Sequence, residues 1–204
     1  DALKAAGARE VVLQAADDLA PWLVQARGAD RVVTLAEGVD ADYQLPLMDI
    51  ARHQKLSLAD CAARGAYLEP PAGRQPPAPV REAGDGVLKV ASSWAGNPNH
   101  PDSDLSPLMQ DWRDTAAAIA AMDAVVCVDT GPGHAAGAMG VPTFLLLNPQ
   151  HDWRWQCGET RTPWYPNHRI IVQSKPGDWA SCITQVREGL THMIRARRAR
   201  QAAA

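Results

Sequence analysis

The sequence has 204 residues, 46% hydrophobic and 21% charged, with 20 basic against 23 acidic side chains and a formal net charge of −3. That length fits one large domain or two small ones with a core that needs no staples, and the charge balance argues against a nucleic-acid-binding surface. The longest apolar run, Val141 to Leu147, is strand-sized and far short of the roughly 20 residues a membrane-crossing helix needs.

The four cysteines (Cys61, Cys127, Cys157, Cys182) lie far apart without CxxC spacing, which implies neither a zinc site nor a disulfide scaffold. Asp1-Ala2-Leu3-Lys4 has no signal-peptide pattern. A reduced, cytoplasmic protein is the expectation. Seven tryptophans accompany a single phenylalanine, and Trp153, Trp155 and Trp164 cluster. Tryptophan joins a large apolar body to a polar handle and suits both cores and ligand walls.

In chain order, residues 1–6 read as the end of a helix stopped by Gly7. Glu10–Gln14 reads as a buried strand, Asp17–Ala26 as a helix with Leu19, Trp22 and Leu23 on one face, and Arg31–Leu35 as a second strand. Asp42–Leu47 reads as a further extended piece, and Ser57 with Asp60 as the cap of a short helix reaching Arg64. Between Pro70 and Gly86 five prolines and three glycines occur with little apolar content, which predicts an exposed linker. The predicted division is therefore a half over 1–69, a linker over 70–86 and a second half over 87–204.

The second half resumes the alternation expected of a parallel α/β sheet. Val87–Ser93 reads as a strand, Asp114 as the cap of a helix over Thr115–Met122, and Ala124–Val128 as a buried strand. A helix over Ala135–Met139, strands over Val141–Leu147 and Arg169–Gln173, and a final helix over Asp178–Arg200 follow. That last helix spans about 30 Å at 1.5 Å per residue, which predicts that it crosses toward the N-terminal half.

The stretch from Val125 to Ala138 is the most informative. A buried strand ends at Asp129, the chain turns through Thr130-Gly131-Pro132-Gly133, and a helix begins around His134. In open α/β sheets ligands bind at the carboxyl ends of strands, and the free N–H groups and dipole of a helix N-terminus favour an anion, most often phosphate. Gly131 and Gly133 leave room for backbone to approach a ligand, while Thr130 and His134 supply donors. The alternative is a tight strand–helix turn with a capping threonine. No Lys-Ser/Thr pair follows the glycines, so the turn is not a Walker loop.

Five motifs occur in order: Trp94-Ala95-Gly96-Asn97-Pro98-Asn99-His100; Arg113-Asp114-Thr115-Ala116-Ala117; Val128 through Pro142; Asp152-Trp153-Arg154-Trp155; and Pro163-Trp164-Tyr165-Pro166. With Gly177-Asp178-Trp179 they resemble the catalytic region of bacterial tetratricopeptide-containing glycosyltransferases. Those are relatives of the heptosyltransferases (glycosyltransferase family 9) and, more distantly, of protein O-GlcNAc transferases. The resemblance covers Val87 to about Leu190.

It implies a glycosyltransferase-B fold, two Rossmann-like halves facing a cleft, the N-terminal one incomplete, with a nucleoside diphosphate sugar held mainly by the C-terminal half. Asp129, Thr130, Gly131, Gly133 and His134 would hold the diphosphate. Trp94, Gly96 and Asn97 would line the cleft, Asp114 and Thr115 would begin a helix near the nucleoside, and Arg154 would pair a phosphate. The acceptor would be a protein or a saccharide. No cofactor or metal is expected, the sugar nucleotide being substrate; the catalytic residue is unassigned, with His134 as a candidate.

The sequence departs from the family pattern twice. A strand and a glycine-rich loop carrying a catalytic acidic residue precede the first helix in the family and do not precede it here. Only Pro101–Arg113 also joins His100 to Asp114, where relatives have a basic residue and a strand–helix–strand unit. An inactive nucleotide-sugar-binding module and a non-enzymatic interaction scaffold are therefore the alternatives. Elsewhere, His100 and the His151–Asp152 pair are weak acid–base candidates, His168 and His192 read as surface residues, and Cys127 reads as core. There is no Gly-x-Ser-x-Gly elbow.

Overall fold

The computed structural model describes residues 2–57, 59–60, 65–84, 87–93 and 106–203. Trp94, Gly96, Asn97 and His100 lie outside the described residues. The elements in chain order are α1 (Ala2–Ala5), β1 (Val12–Ala15), α2 (Ala20–Leu23), β2 (Arg31–Thr34), α3 (Leu47–His53), α4 (Ala78–Glu82) and β3 (Val90–Ser93). There follow α5 (Trp112–Ala120), β4 (Ala124–Cys127), α6 (Gly131–Met139), β5 (Thr143–Leu147), β6 (His168–Val172) and α7 (Trp179–Ala202).

Two parallel sheets result: β1 pairs with β2, and β3-β4-β5-β6 run side by side in sequence order. The four-stranded sheet is covered on both faces, which is why β4 and β5 are uninterrupted apolar runs. The period-2 alternation of strand side chains divides them between two cores. Val125, Cys127, Leu145, Leu147 and Ile170 meet Ala116, Ile119, Ala135 and Ala136 of α5 and α6. Val126, Phe144, Leu146 and Ile171 meet Cys182 and Val186 of α7.

Several expected elements differ. α2 is four residues long, with Pro21 in its first turn. Asp42–Leu47 pairs with no strand; Pro46 instead precedes α3. The proline-rich stretch carries α4, whose Val80 is buried, so it is not uniformly exposed. Helix α5 is capped by Asp111, not Asp114: the Asp111 carboxylate accepts from the Arg113 N–H at 2.8 Å. The final helix stays on its own sheet. Met193 packs in the α7 core, and Arg197 bonds the Val87 carbonyl and the Asp123 carboxylate, so the expected crossing does not occur.

The N-terminal segment is joined to the second core directly. Trp22 stacks on Trp112 at 6.5 Å with the rings 8° apart, and its indole N–H donates to the Glu69 carbonyl. The Tyr67 and Leu68 amides both donate to the Ala138 carbonyl at the end of α6. None of the described helices is long and apolar enough to cross a membrane.

Candidate functional site

The site is built on the β4–α6 turn. Strand β4 is fully buried, Asp129 emerges exposed, and Thr130 takes the extended N-cap conformation before α6 begins at Gly131. A helix therefore starts at the carboxyl end of a central parallel strand, where its dipole favours negative charge. At the other end Gly140 closes α6 in the left-handed conformation (φ 78°), where a side chain is disfavoured.

The donors at this N-terminus are fewer than a bare helix end supplies. Pro132 has no N–H, and the amides of Gly133 and His134 both donate to the Thr130 carbonyl at 3.0 and 3.4 Å. What remains for an anion is the Gly131 N–H, which has no partner among the described residues, the dipole and the side chains of Thr130 and His134. The Thr130 hydroxyl donates to the Val128 carbonyl at 3.2 Å and does not cap the helix.

Both glycines are required by packing. A Cβ on Gly133, which is buried, would lie 2.8 Å from Cys127 Sγ on β4. One on Gly131, which is exposed, would lie 2.5 Å from Cη2 of Trp112, so the Trp112 indole covers one side of Gly131. Gly137 plays the same part deeper in α6, where a Cβ would run into the Tyr165 ring. Gly137→Ala should therefore cost about 1–3 kcal/mol by overpacking, read as a lower midpoint in thermal unfolding.

His134 projects from the first turn of α6 into a cluster of rings. It stacks on Trp155 (centroids 5.3 Å, 24°) and meets Tyr165 edge-on at 5.8 Å. Trp155 stacks in turn on His168 at 6.2 Å and 9°. The Tyr165 hydroxyl lies 3.0 Å from His134 Nδ1, and Asp129 Oδ1 lies 3.4 Å from Nε2. Burial holds the His134 pKa below its usual value, outweighing the opposing pull of Asp129, so the ring is neutral at pH 7. Burial also raises the Tyr165 pKa, which keeps its phenol protonated.

His168, expected at the surface, is completely buried. Its Nε2 lies 3.2 Å from the Gly133 carbonyl, which can only accept, so Nε2 carries the proton and ties β6 to α6. Nδ1 of His168 and Nε1 of Trp155 have no partner among the described residues. Cys127 is buried as expected, and desolvation pushes its thiol up to about 12, which leaves it inert.

The Trp-rich loop after β5 forms the outer wall. Asp152 caps a 3-10 turn over Trp153–Trp155, and Arg154 pairs with that carboxylate: Nη2 donates to Oδ2 at 3.1 Å, while Nε, 3.0 Å from Oδ1, makes no hydrogen bond among the described residues. The Arg154 backbone N–H bond and the Arg154 side chain together hold the Asp152 pKa low. The Trp164 indole N–H donates to the Arg154 carbonyl at 2.7 Å and locks the loop. Trp155 is buried beneath it, while Trp153 is 71% exposed. His151 Nδ1 lies 3.1 Å from the Asp152 backbone carbonyl rather than being hydrogen-bonded to its carboxylate.

Asp114 and Thr115 lie in the first turn of α5 rather than before it. Asp114 is tied to Arg74 at 3.0 Å and accepts from the Gln110 amide, which gives it a structural role joining the proline-rich stretch to α5. Helix α5 still reaches the site through Trp112 over Gly131. Of the residues singled out from sequence, Asp129, Thr130, Gly131, Gly133 and His134 gather at the α6 N-terminus, with Arg154 on the neighbouring loop. Tyr165, His168 and Trp112 were not assigned to it. The Pro163-Trp164-Tyr165-Pro166 motif pointed to Tyr165 without giving it a role. No group of three or more His, Cys, Asp or Glu side chains able to hold a metal occurs among the described residues.

A shallow hollow of about 270 Å³ lies elsewhere, at the amino ends of β5 and β6 beside Thr143, Arg169, Glu188 and His192. It opens at the opposite end of the strands from the α6 N-terminus, and strand carboxyl ends are where such sheets bind ligands.

The model of glycosyltransferase family 9 (heptosyltransferase) matches residues 104–183, which contain the whole of this site. Protein FlbA of Caulobacter vibrioides is 34% identical over 83 residues, covering 41% of this chain and 14% of FlbA. No solved structure matches.

Proposed function

We propose that the chain supplies the donor-binding part of a glycosyltransferase that moves a sugar from a nucleoside diphosphate sugar to a protein or saccharide acceptor in the cytoplasm. The observation behind this is the α6 N-terminus, exposed at Gly131 among the described residues and flanked by a neutral His134, within the stretch that the glycosyltransferase family matches. In such a reaction the bond between the anomeric carbon and the diphosphate oxygen breaks as an acceptor hydroxyl attacks, and negative charge grows on the leaving diphosphate. A preorganised dipole and N–H donors aimed at that charge lower the barrier. In this reading the Gly131 N–H, the Thr130 hydroxyl once it turns from the Val128 carbonyl, and His134 supply those donors, and no step requires a metal. The wider architecture in this reading is the two-halved glycosyltransferase-B type, with β1 and β2 belonging to the acceptor side.

The test is calorimetric titration with a panel of nucleoside diphosphates. Thr130→Ala or His134→Ala should each weaken binding about ten- to a hundredfold, the loss of one hydrogen bond to a charged group at about 1.5–3 kcal/mol. His134→Ala should also lower stability, because the ring packs on Trp155 and Tyr165. Thr130→Ala is the cleaner variant, its side chain bonding only the Val128 carbonyl. If no nucleoside diphosphate binds at millimolar concentration, or Thr130→Ala binds as tightly as the parent, the reading fails.

A further inference from the structure

We infer that Tyr165 is a positioning residue for His134: its hydroxyl fixes the imidazole as the Nε2–H tautomer and so turns an N–H donor toward the α6 N-terminus. The bond runs from Tyr165 Oη to His134 Nδ1 at 3.0 Å. On the other side of the ring, Asp129 Oδ1 faces Nε2 at 3.4 Å. A carboxylate has no proton to give, so the nitrogen that faces it is the one that carries hydrogen. In a neutral imidazole the other nitrogen is then bare, and the group hydrogen-bonded to Nδ1 among the described residues is the Tyr165 hydroxyl, which must donate.

Tyr67 is another titratable group that acts on the Tyr165 hydroxyl. Rotation of the imidazole is opposed by Trp155 stacked on one face and Tyr165 against an edge. Tyr165 is itself fixed by the absent Cβ of Gly137 and by the His168 ring at 4.8 Å. The other charged group that acts on His134 is Arg154.

The consequence for binding rests on the proposed function: with Nδ1 occupied, Nε2–H is the donor that an arriving phosphate oxygen meets in place of Asp129. The tautomer does not depend on that reading. Two-dimensional NMR of the imidazole nitrogens in the full chain should show His134 protonated at Nε2 and bare at Nδ1. Tyr165→Phe keeps the ring and removes the hydroxyl, so the single-tautomer signature should be lost and the His134 pKa should rise, since a donor that favours the neutral form is gone. Titration with inorganic pyrophosphate should weaken about three- to tenfold in Tyr165→Phe.

A His134 protonated at Nδ1 in the parent protein overturns the inference whether or not any variant folds. So does a Tyr165→Phe protein with an unchanged tautomer and pKa. Failure of the parent to bind pyrophosphate, with the tautomer as stated, removes the anion-site reading and leaves the role of Tyr165 intact.

Discussion

Trp155→Ala should lower the unfolding free energy by about 3–5 kcal/mol, the range for removing a fully buried aromatic ring. The Trp155 side chain is 1% exposed and lies between the His134 and His168 rings. Its indole N–H has no partner among the described residues, so the loss is one of packing and of the cavity left behind rather than of a hydrogen bond. Against a typical total of 5–15 kcal/mol this is a large fraction, and in a chain of this length it corresponds to a midpoint roughly 10 °C lower. Urea unfolding gives the number directly. Trp155→Phe should recover more than half of it. A loss below about 1 kcal/mol would mean that the ring cluster does not hold α6 against β6.

The same variant has a chemical consequence. Desolvation is the leading cause of the low His134 pKa. Removing the ring that covers one face of the imidazole admits water and should raise that pKa toward its ordinary value. The stability of the cluster and the protonation state of the candidate site are therefore one physical quantity seen by two measurements.

How much of this was legible in the sequence depends on the range of the interactions. The β4–α6 turn was legible because its causes are local: a four-residue buried strand, a glycine–proline–glycine turn and a run of small helical residues. Which aspartate caps α5 was not. Asp111 and Asp114 are both good caps, and the choice falls on Asp111 because Trp112 is anchored by Trp22 and by the Asp18 carbonyl, far away in sequence. Gly133 was assigned to ligand access because the sequence shows a small residue without showing Cys127 against it. Arg154 looked free for phosphate although its partner stands two residues away, since only the folded 3-10 turn brings the guanidinium back onto Asp152. The burial of His168 did have a signal. In the alternation His-Arg-Ile-Ile-Val, His168 shares a strand face with Ile170, and that face meets α6.

His168 should make the protein acid-sensitive well above the range in which carboxylates titrate. Burial lowers its pKa from 6.5 to about 4, against the opposing pull of the Gly133 carbonyl. Between those values the unfolded chain holds the proton and the folded chain does not. Protonation therefore draws the equilibrium toward the unfolded state as pH falls. The contribution is fully present above pH 6.5 and is lost on the way down to about pH 4, where it levels off. A shift of this size corresponds to about 3 kcal/mol at 1.36 kcal/mol per pKa unit. His134, also depressed by burial, adds to the slope in the same direction. Urea unfolding at pH 7.5 and at pH values down to 4.5 should show the loss. His168→Gln retains an N–H donor for the Gly133 carbonyl but cannot take up a proton. It should start less stable because of imperfect packing, and should lose clearly less stability across the same interval. A parent protein equally stable at both ends of that interval, or a glutamine variant with the parent's full slope, would rule out the assignment of the acid sensitivity to this buried ring.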